Sequence, residues 1–178
     1  QDYQQQLTTE LTKAVQSHLV TEVPLGSFLS GGVDSSAVVA LIAGMSDEPV
    51  RTCSIGFDVA AYDESDYANQ IAKQYQTNHQ SRIVTSNDFS LIPELAHIYD
   101  EPYADSSALA TYRVCELARE KVTVSMSGDG ADELLAGYRR YKLLMNEQKV
   151  REKIPKLLRT AIFKPLGRWF PKLDWAPR

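Results

Sequence analysis

A short apolar stretch, Leu25 to Leu29, runs directly into Ser30-Gly31-Gly32-Val33-Asp34 and then into the almost wholly apolar segment Ala37 to Met45. Strand, glycine turn and buried helix in that order commit a chain to a parallel sheet sandwiched by helices. The alternation continues on both sides. Leu7, Leu11, Val15 and Leu19 recur every four residues, one face of an amphipathic helix that Pro24 ends. Arg51 to Phe57 predicts a second strand. Asp63 and Glu64 start a helix with Tyr67, Ile71 and Tyr75 on one face, the acids lying at its positive end. Gln80 to Val84 is a third strand and Asn87 to Tyr99 a helix with Pro93 near its first turn. A helix through Leu109, Ala110, Val114 and Leu117 follows, capped by Ser106 or Ser107. Val122 to Met126 is the fourth strand, and Ala131 to Leu144 the next helix. Such a chain is α/β, a parallel sheet with helices on both faces and right-handed crossovers. Ligands bind these sheets beyond the carboxyl ends of the strands, where the strand order reverses, so the chemistry belongs in the loops after each strand.

Composition narrows the class. Hydrophobic residues at 43 % and charged ones at 24 % are ordinary for a globular chain of 178 residues. No apolar run approaches the roughly 20 residues of a membrane-spanning helix. Gln1 to Gln6 carry no basic segment with an apolar core behind it, so no secretory signal and no membrane partner are expected, and the expected compartment is the cytoplasm. Cys53 and Cys115 are too few for a disulfide framework and too far apart for a metal pair, and both read as buried, inert thiols. His18, His79 and His97 show no metal-ligand spacing. From Lys149 to Arg178 nine Lys or Arg stand against Glu152 and Asp174, amid Pro155, Pro165, Pro171, Pro177, Trp169 and Trp175. A nucleic-acid arm fits such a tail, and so does an extension that packs on another part of the protein. The Trp169-Phe170 pair favours the extension, so no nucleic-acid partner is expected. The chain opens on Gln1 rather than Met and is expected to be a piece of something longer.

Two loops carry the chemistry. In Ser30 to Ser36, Gly31 and Gly32 permit positive φ and a close backbone approach, so successive N–H groups face one concavity at a helix N-terminus. Ser30, Ser35 and Ser36 add hydroxyl donors. Asp34 is the odd member: opposite a phosphate it needs a divalent cation between them, and Mg²⁺ takes one or two carboxylates plus phosphate oxygens. A plain turn capped by Asp34 is the duller alternative. After the fourth strand, Ser127-Gly128-Asp129-Gly130-Ala131-Asp132-Glu133 sets two more glycines and three acids at the start of a helix. First-turn acids stabilise a helix by about 0.3–1 kcal/mol each, yet acids from two loops in one crevice repel unless they share a metal. The Gly-Lys-Ser/Thr of a Walker A loop is absent, and no Ser-His-Asp arrangement is visible.

Ser30-Gly31-Gly32-Val33-Asp34-Ser35 resembles the SGGxDS pyrophosphate loop (PP-loop) of the ATP pyrophosphatase superfamily, which spans GMP, NAD, argininosuccinate and asparagine synthetases and tRNA-modifying enzymes. The second loop, continued through Gly137-Tyr138 and Tyr141, resembles the SGEGxDExxxGY segment of the asparagine synthetase family. So do Val23-Pro24, the strand Thr52 to Phe57, Asp63-Glu64 and the Tyr67-Ala68 helix, and the resemblance runs from Leu7 to about Tyr141. It implies an adenine nucleotide alpha hydrolase-like fold, with an ATP pyrophosphatase domain over residues 1–147. Residues 148–178 would be an extension that begins a truncated helical region.

Carried over by motif position, the resemblance implies adenine and ribose on backbone at Phe28 or Leu29, at Ile55 and at Ser127-Gly128. Ser30, Gly31, Gly32, Ser35 and Ser36 would cradle pyrophosphate. Asp34 and Asp132 would hold Mg²⁺, and Asp34, Asp129, Asp132 and Tyr138 form the implied catalytic set. Asp129 stands where asparagine synthetases commonly carry Glu, near the activated carboxylate, which leaves the acid substrate open. Asp100-Glu101-Pro102 and Asp105-Ser106-Ser107 serve either substrate or helix capping. The implied activity is ATP-dependent adenylation of a carboxylate, aspartate in the family's namesake, followed by attack of ammonia to give the amide, AMP and pyrophosphate. An N-terminal glutaminase domain supplies ammonia in glutamine-dependent members, and a helical region beyond the Gly-Tyr pair adds a lysine near the phosphates. Two rivals stand: the same chemistry on an acid of a cell-surface polysaccharide or secondary-metabolite pathway, and a nucleotide-binding module without turnover. A homodimer is left open.

Overall fold

Each strand returns through a helix before the next begins, which leaves neighbouring strands no geometry but parallel. In a computed structural model that describes residues 2–101, 103, 105 and 107–169, the chain runs α1 (Asp2–His18), β1 (Leu25–Phe28), α2 (Val33–Met45), β2 (Arg51–Phe57), α3 (Ser65–Gln74) and β3 (Asn78–Val84). A 3-10 turn (Ser86–Leu91), α4 (Ile92–Tyr99), α5 (Ser107–Arg119) and β4 (Val124–Met126) follow, then α6 (Ala131–Leu135), α7 (Arg139–Lys153) and α8 (Lys156–Trp169). The strands form one parallel sheet in the order β3-β2-β1-β4. The chain divides into two compact units, Gln1–Asp129 and Gly130–Arg178.

Helices cover both faces of the sheet in the first unit. Phe28 and Leu29 are consecutive and therefore point opposite ways. Phe28 joins Cys53, Val114, Leu117, Ala118 and Val122 beneath α5, while Leu29 packs with Val39 of α2 and Ala68 and Ala72 of α3. Val15 of α1 meets Ile42 and Val50 in a third cluster. The even-numbered side of β2 is polar and buried: Thr52 Oγ1 lies 2.8 Å from Thr77 Oγ1 and 2.9 Å from His79 Nδ1, and Ser54 Oγ lies 3.2 Å from His79 Nε2. His79 is thus a structural group, and its burial pushes the imidazole below its ordinary range. Arg82 and Arg113 tie α5 to β3 and to the 3-10 turn through Glu116, Glu120 and Asp88.

Several elements depart from the sequence pattern, each for a local reason. α1 stops at His18, whose Nδ1 bonds the Ala14 carbonyl at 2.7 Å, well before Pro24. Of its apolar stripe only Val15 is buried, while Leu7 and Leu11 stay exposed. On α3 the face turned inward is Ala68 and Ala72 with Ile71 and Tyr75, leaving Tyr67 exposed. Asp63 Oδ1 accepts the N–H of Ser65 at 3.2 Å and its hydroxyl at 2.6 Å, so the carboxylate at that helix start bonds it directly. Asn87 to Tyr99 is two elements rather than one helix, since Pro93 lies at the opening of α4 and the 3-10 turn takes up the residues before it. Ala131 to Leu144 is also two helices, broken where Ala136 adopts a left-handed conformation at φ 57°. Asp105 bonds the first turn of α5, its Oδ1 accepting the Ser107 N–H at 2.8 Å. Pro102, Ser106, Phe170, Pro171, Trp175, Pro177 and the Trp169 side chain lie outside the described residues. Cys115 is exposed rather than buried, because it sits on the outer side of α5 between the inward Val114 and Leu117. Cys53 is buried, and that burial pushes its thiol up to about 11. Among the described residues no helix is long and apolar enough to cross a membrane.

Candidate active site

The sheet reverses direction once. From β1 the chain adds β2 and β3 on one side, then returns to place β4 on the other. The switch point therefore lies between β1 and β4, and the loops that leave its two strands are Ser30–Ser36 and Ser127–Asp129.

The first loop is held by its own serines. Ser30 Oγ and Ser35 Oγ are 3.0 Å apart, the Ser30 N–H donates to Ser35 Oγ at 3.3 Å, and the Gly32 N–H donates to Ser30 Oγ at 3.3 Å. Ser35 Oγ donates in turn to the Gly32 carbonyl at 3.3 Å. Two of the three hydroxyls thus shape the loop. Ser36 Oγ is different: it is buried and has no hydrogen-bond partner among the described residues. Gly31 sits at φ +83°, and a Cβ there would stand 2.5 Å from Tyr67 Cβ and 2.6 Å from the Ala68 N of α3. Glycine is required on both counts. Asp34 lies in the first turn of α2, whose N-cap position is Gly32 with no side-chain capping bond. Among the described residues the Asp34 carboxylate makes no hydrogen bond or ion pair, so capping does not explain it.

The second loop presses against the first. A Cβ on Gly128 would lie 2.7 Å from the Ser35 N, 2.9 Å from the Asp34 carbonyl carbon and 3.1 Å from Asp34 Cβ. Only a residue without a side chain lets β4's exit reach the Asp34-Ser35 peptide. Ser127 Oγ accepts the Asp129 N–H at 3.1 Å and turns the chain, leaving Asp129 exposed. Phe28 and Leu29 give their side chains to opposite clusters of the core, and the Leu29 N–H is spent on the Cys53 carbonyl at 2.9 Å. Ile55 is half-buried near the end of β2. At that same end Gly56 lies against the Ser65 hydroxyl and Asp63, whose Oδ1 accepts the Phe57 N–H at 3.3 Å. This contact, which the sequence pattern had not singled out, fixes the β2 exit to α3.

In the second unit Gly130, at φ +90°, opens α6, and Asp132 and Glu133 occupy its first turn. Tyr138 donates its hydroxyl to Glu133 Oε1 at 2.7 Å, and the Arg140 guanidinium lies 4.3 Å from the Tyr138 ring centre. That hydrogen bond is the main cause holding the Glu133 carboxyl below its usual range and raising the Tyr138 phenol. Glu133 and Arg140 were not among the sequence candidates for these roles. Their spacing across the glycine was the available signal, but a continuous helix through Leu144 would have kept Glu133 and Tyr138 apart.

Comparison with known proteins decides the family. The family model described as asparagine synthase matches residues 6–178. The chain belongs to the asparagine synthase family. It is 41 % identical over 153 residues to the putative asparagine synthetase (glutamine-hydrolyzing) 2 of Methanocaldococcus jannaschii, covering 85 % of this chain and 29 % of that protein. It is 35 % identical to asparagine synthetase (glutamine-hydrolyzing) 1 of Bacillus subtilis over 160 residues, 86 % of this chain and 25 % of that protein. The chain thus spans less than a third of either relative. The family match also continues through α7 and α8, past the point near Tyr141 where recognisable motifs stop. Among solved structures, the NMN synthetase of Francisella tularensis aligns with TM-score 0.49 and 19 % identity, over 77 % of this chain and 57 % of that one.

Proposed function

We propose that this chain is the nucleotide-binding and ligase part of an ATP-dependent, amide-forming synthetase that adenylates a carboxylate and passes it to ammonia. The observation that carries the reading is Gly128 seated on the Asp34-Ser35 peptide at the switch point, which makes one site of two glycine loops. The buried Ser36 Oγ, without a partner among the described residues, supports it, since such a donor beside a loop of N–H groups suits an anionic oxygen. In the proposed reaction a carboxylate oxygen bonds to the α-phosphorus of ATP while the bond to the bridging oxygen breaks and pyrophosphate leaves. Ammonia then attacks the acyl carbon, loses a proton, and AMP departs.

The loop N–H groups and Ser36 hold the departing pyrophosphate, and backbone at Phe28 or Leu29, Ile55 and Ser127-Gly128 takes the adenosine. Packing orients the reactants, which is where most of the rate advantage of such a transfer arises. The donor set fits Mg²⁺: Asp34 is a carboxylate without a partner among the described residues in an anion-favouring loop, and Asp132 is the second candidate ligand. Phosphate oxygens would complete the shell. Bound there, Mg²⁺ would neutralise charge on the leaving group. We assign the ATP pyrophosphatase domain to residues 1–147 and a basic extension to 148–178, with ammonia delivered by a glutaminase domain of the whole protein.

Aspartate is the first candidate acid. Asp129, exposed and one methylene shorter than the family's common Glu, favours a second reading in which a different acid is accepted. Asp34→Asn is expected to weaken Mg-ATP affinity by about tenfold or more in calorimetric titration while leaving the melting curve in place. Unchanged affinity with an intact fold would refute the assignment, and pyrophosphate release across a panel of acids selects the substrate.

A further inference from the structure

The chain between α6 and α7 folds back onto the carboxylate of Asp132. Ala136 turns left-handed at φ 57°, and the Gly137 N–H then donates to the Asp132 carbonyl at 3.0 Å. A Cβ on Gly137 would lie 3.0 Å from Asp132 Cγ and would overlap its Oδ1. The backbone at Gly137 is therefore one wall of the space in which that carboxylate sits. The reversal also brings Tyr138 to Glu133, five residues back and beyond the reach of neighbours on one helix, closing a 2.7 Å hydrogen bond beside Asp132. Arg140 covers the Tyr138 ring at 4.3 Å and reaches 5.7 Å from that of Tyr141. The cation over the ring face gives the tyrosine a second hold besides its hydroxyl bond. The Gly137 backbone thus walls the Asp132 carboxylate, and the Tyr138–Glu133 bond closes the same turn.

We propose that Tyr138, hydrogen-bonded to Glu133 and seated under Arg140, is a positioning residue that holds the Asp132 carboxylate ready for Mg²⁺ and pyrophosphate, and that it takes no part in proton transfer. This rests on the role given to Asp132 above. A phenol that already donates to a carboxylate is a poor base, whereas groups that orient a metal-binding carboxylate commonly govern metal affinity.

The test is calorimetric affinity of the full 178-residue chain for α,β-methylene-ATP, with and without Mg²⁺; the ratio of the two isolates the metal-dependent gain. Tyr138→Phe keeps the ring under Arg140 and removes only the hydroxyl. It is expected to cut the gain about tenfold and to leave the metal-free affinity and the melting temperature unchanged. Glu133→Ala is expected to match it, Glu133→Gln, which keeps an acceptor oxygen, to restore most of the gain, and the double variant Tyr138→Phe/Glu133→Ala to be no worse than either single one. Asp132→Asn is the control and should abolish the gain. A Tyr138→Phe protein with the full gain, while Asp132→Asn has lost it, overturns the positioning role and leaves the site assignment standing. Equal losses with and without Mg²⁺ overturn it as well, marking a structural effect. A full gain in Asp132→Asn sinks both this inference and the reading beneath it.

Discussion

Gly128 meets backbone, not a flexible side chain, and backbone cannot step aside without moving the whole first loop. With a Cβ placed 2.7 Å from the Ser35 N, Gly128→Ala must either tilt the start of α2 or push the two loops apart. Overpacking of this kind costs about 1–3 kcal/mol, and the displacement falls on the N–H groups that would face pyrophosphate. We expect the variant to fold with a lowered melting temperature and to bind ATP at least about tenfold more weakly; wild-type affinity would mean that the loops do not share one ligand. Gly44→Ala serves as the matched control, since nothing lies within 4 Å of a Cβ there. At this scale the sequence was informative about identity and poor about roles. The glycine-serine string marked the loop, but not that Ser30 and Ser35 bond each other while Ser36 is left over. Those bonds run between residues five apart around a turn, whose path depends on Gly31 meeting α3.

Among elements, the parallel strands and crossover helices were legible because each strand is an apolar run bounded by turn residues. The breaks were not. A pattern of apolar spacing continues smoothly through Ala136, yet the chain turns there, and only the contact of Gly137 with Asp132 shows why. The buried side of β2 escaped for a related reason: Thr52 and Ser54 look like surface residues, and their burial becomes tolerable because His79 on the paired strand bonds both. That arrangement has a pH consequence. Burial lowers the His79 pKa from its ordinary 6.5, so the unfolded chain takes up a proton before the folded one does. The stability this neutral imidazole supports is complete above the unfolded value and is lost as pH falls through the folded one. The melting temperature should therefore decline as pH drops below about 6.5, and His79→Gln, which offers a donor and an acceptor without titrating, should flatten that part of the profile. An identical acid slope in both proteins would remove His79 as its cause.

The two units of the molecule are unequally built. Gln1–Asp129 holds all three buried clusters, with Leu29 only 1 % exposed. Among the residues of Gly130–Arg178 whose side chains are described none is buried, and Leu143, Leu144, Val150, Leu157 and Leu158 are exposed, Leu157 by 87 %. A helix of 15 residues with no buried residue, as α7 is, is marginal in water, because its own propensity scarcely offsets the cost of nucleation. This unit carries Asp132, and the family resemblance implies a further lysine near the phosphates in a helical region, a role that no motif marks at Lys149, Lys153, Lys156, Lys164 or Lys172. With the roles proposed above, Mg-ATP should still bind, since the first loop would supply ground-state contacts. Charge developing on the leaving pyrophosphate is less forgiving, because donors must already be in place when it appears. The chain alone should therefore bind Mg-ATP while releasing pyrophosphate, with ammonia and the preferred acid, about 100-fold more slowly than the same chain joined to the segments its relatives possess beyond the matched span. Hydrogen exchange in α7 and α8 should slow in parallel in the longer polypeptide, showing that the gain comes from ordering this unit. Equal turnover and equal exchange in both would mean that Gly130–Arg178 already completes the site by itself.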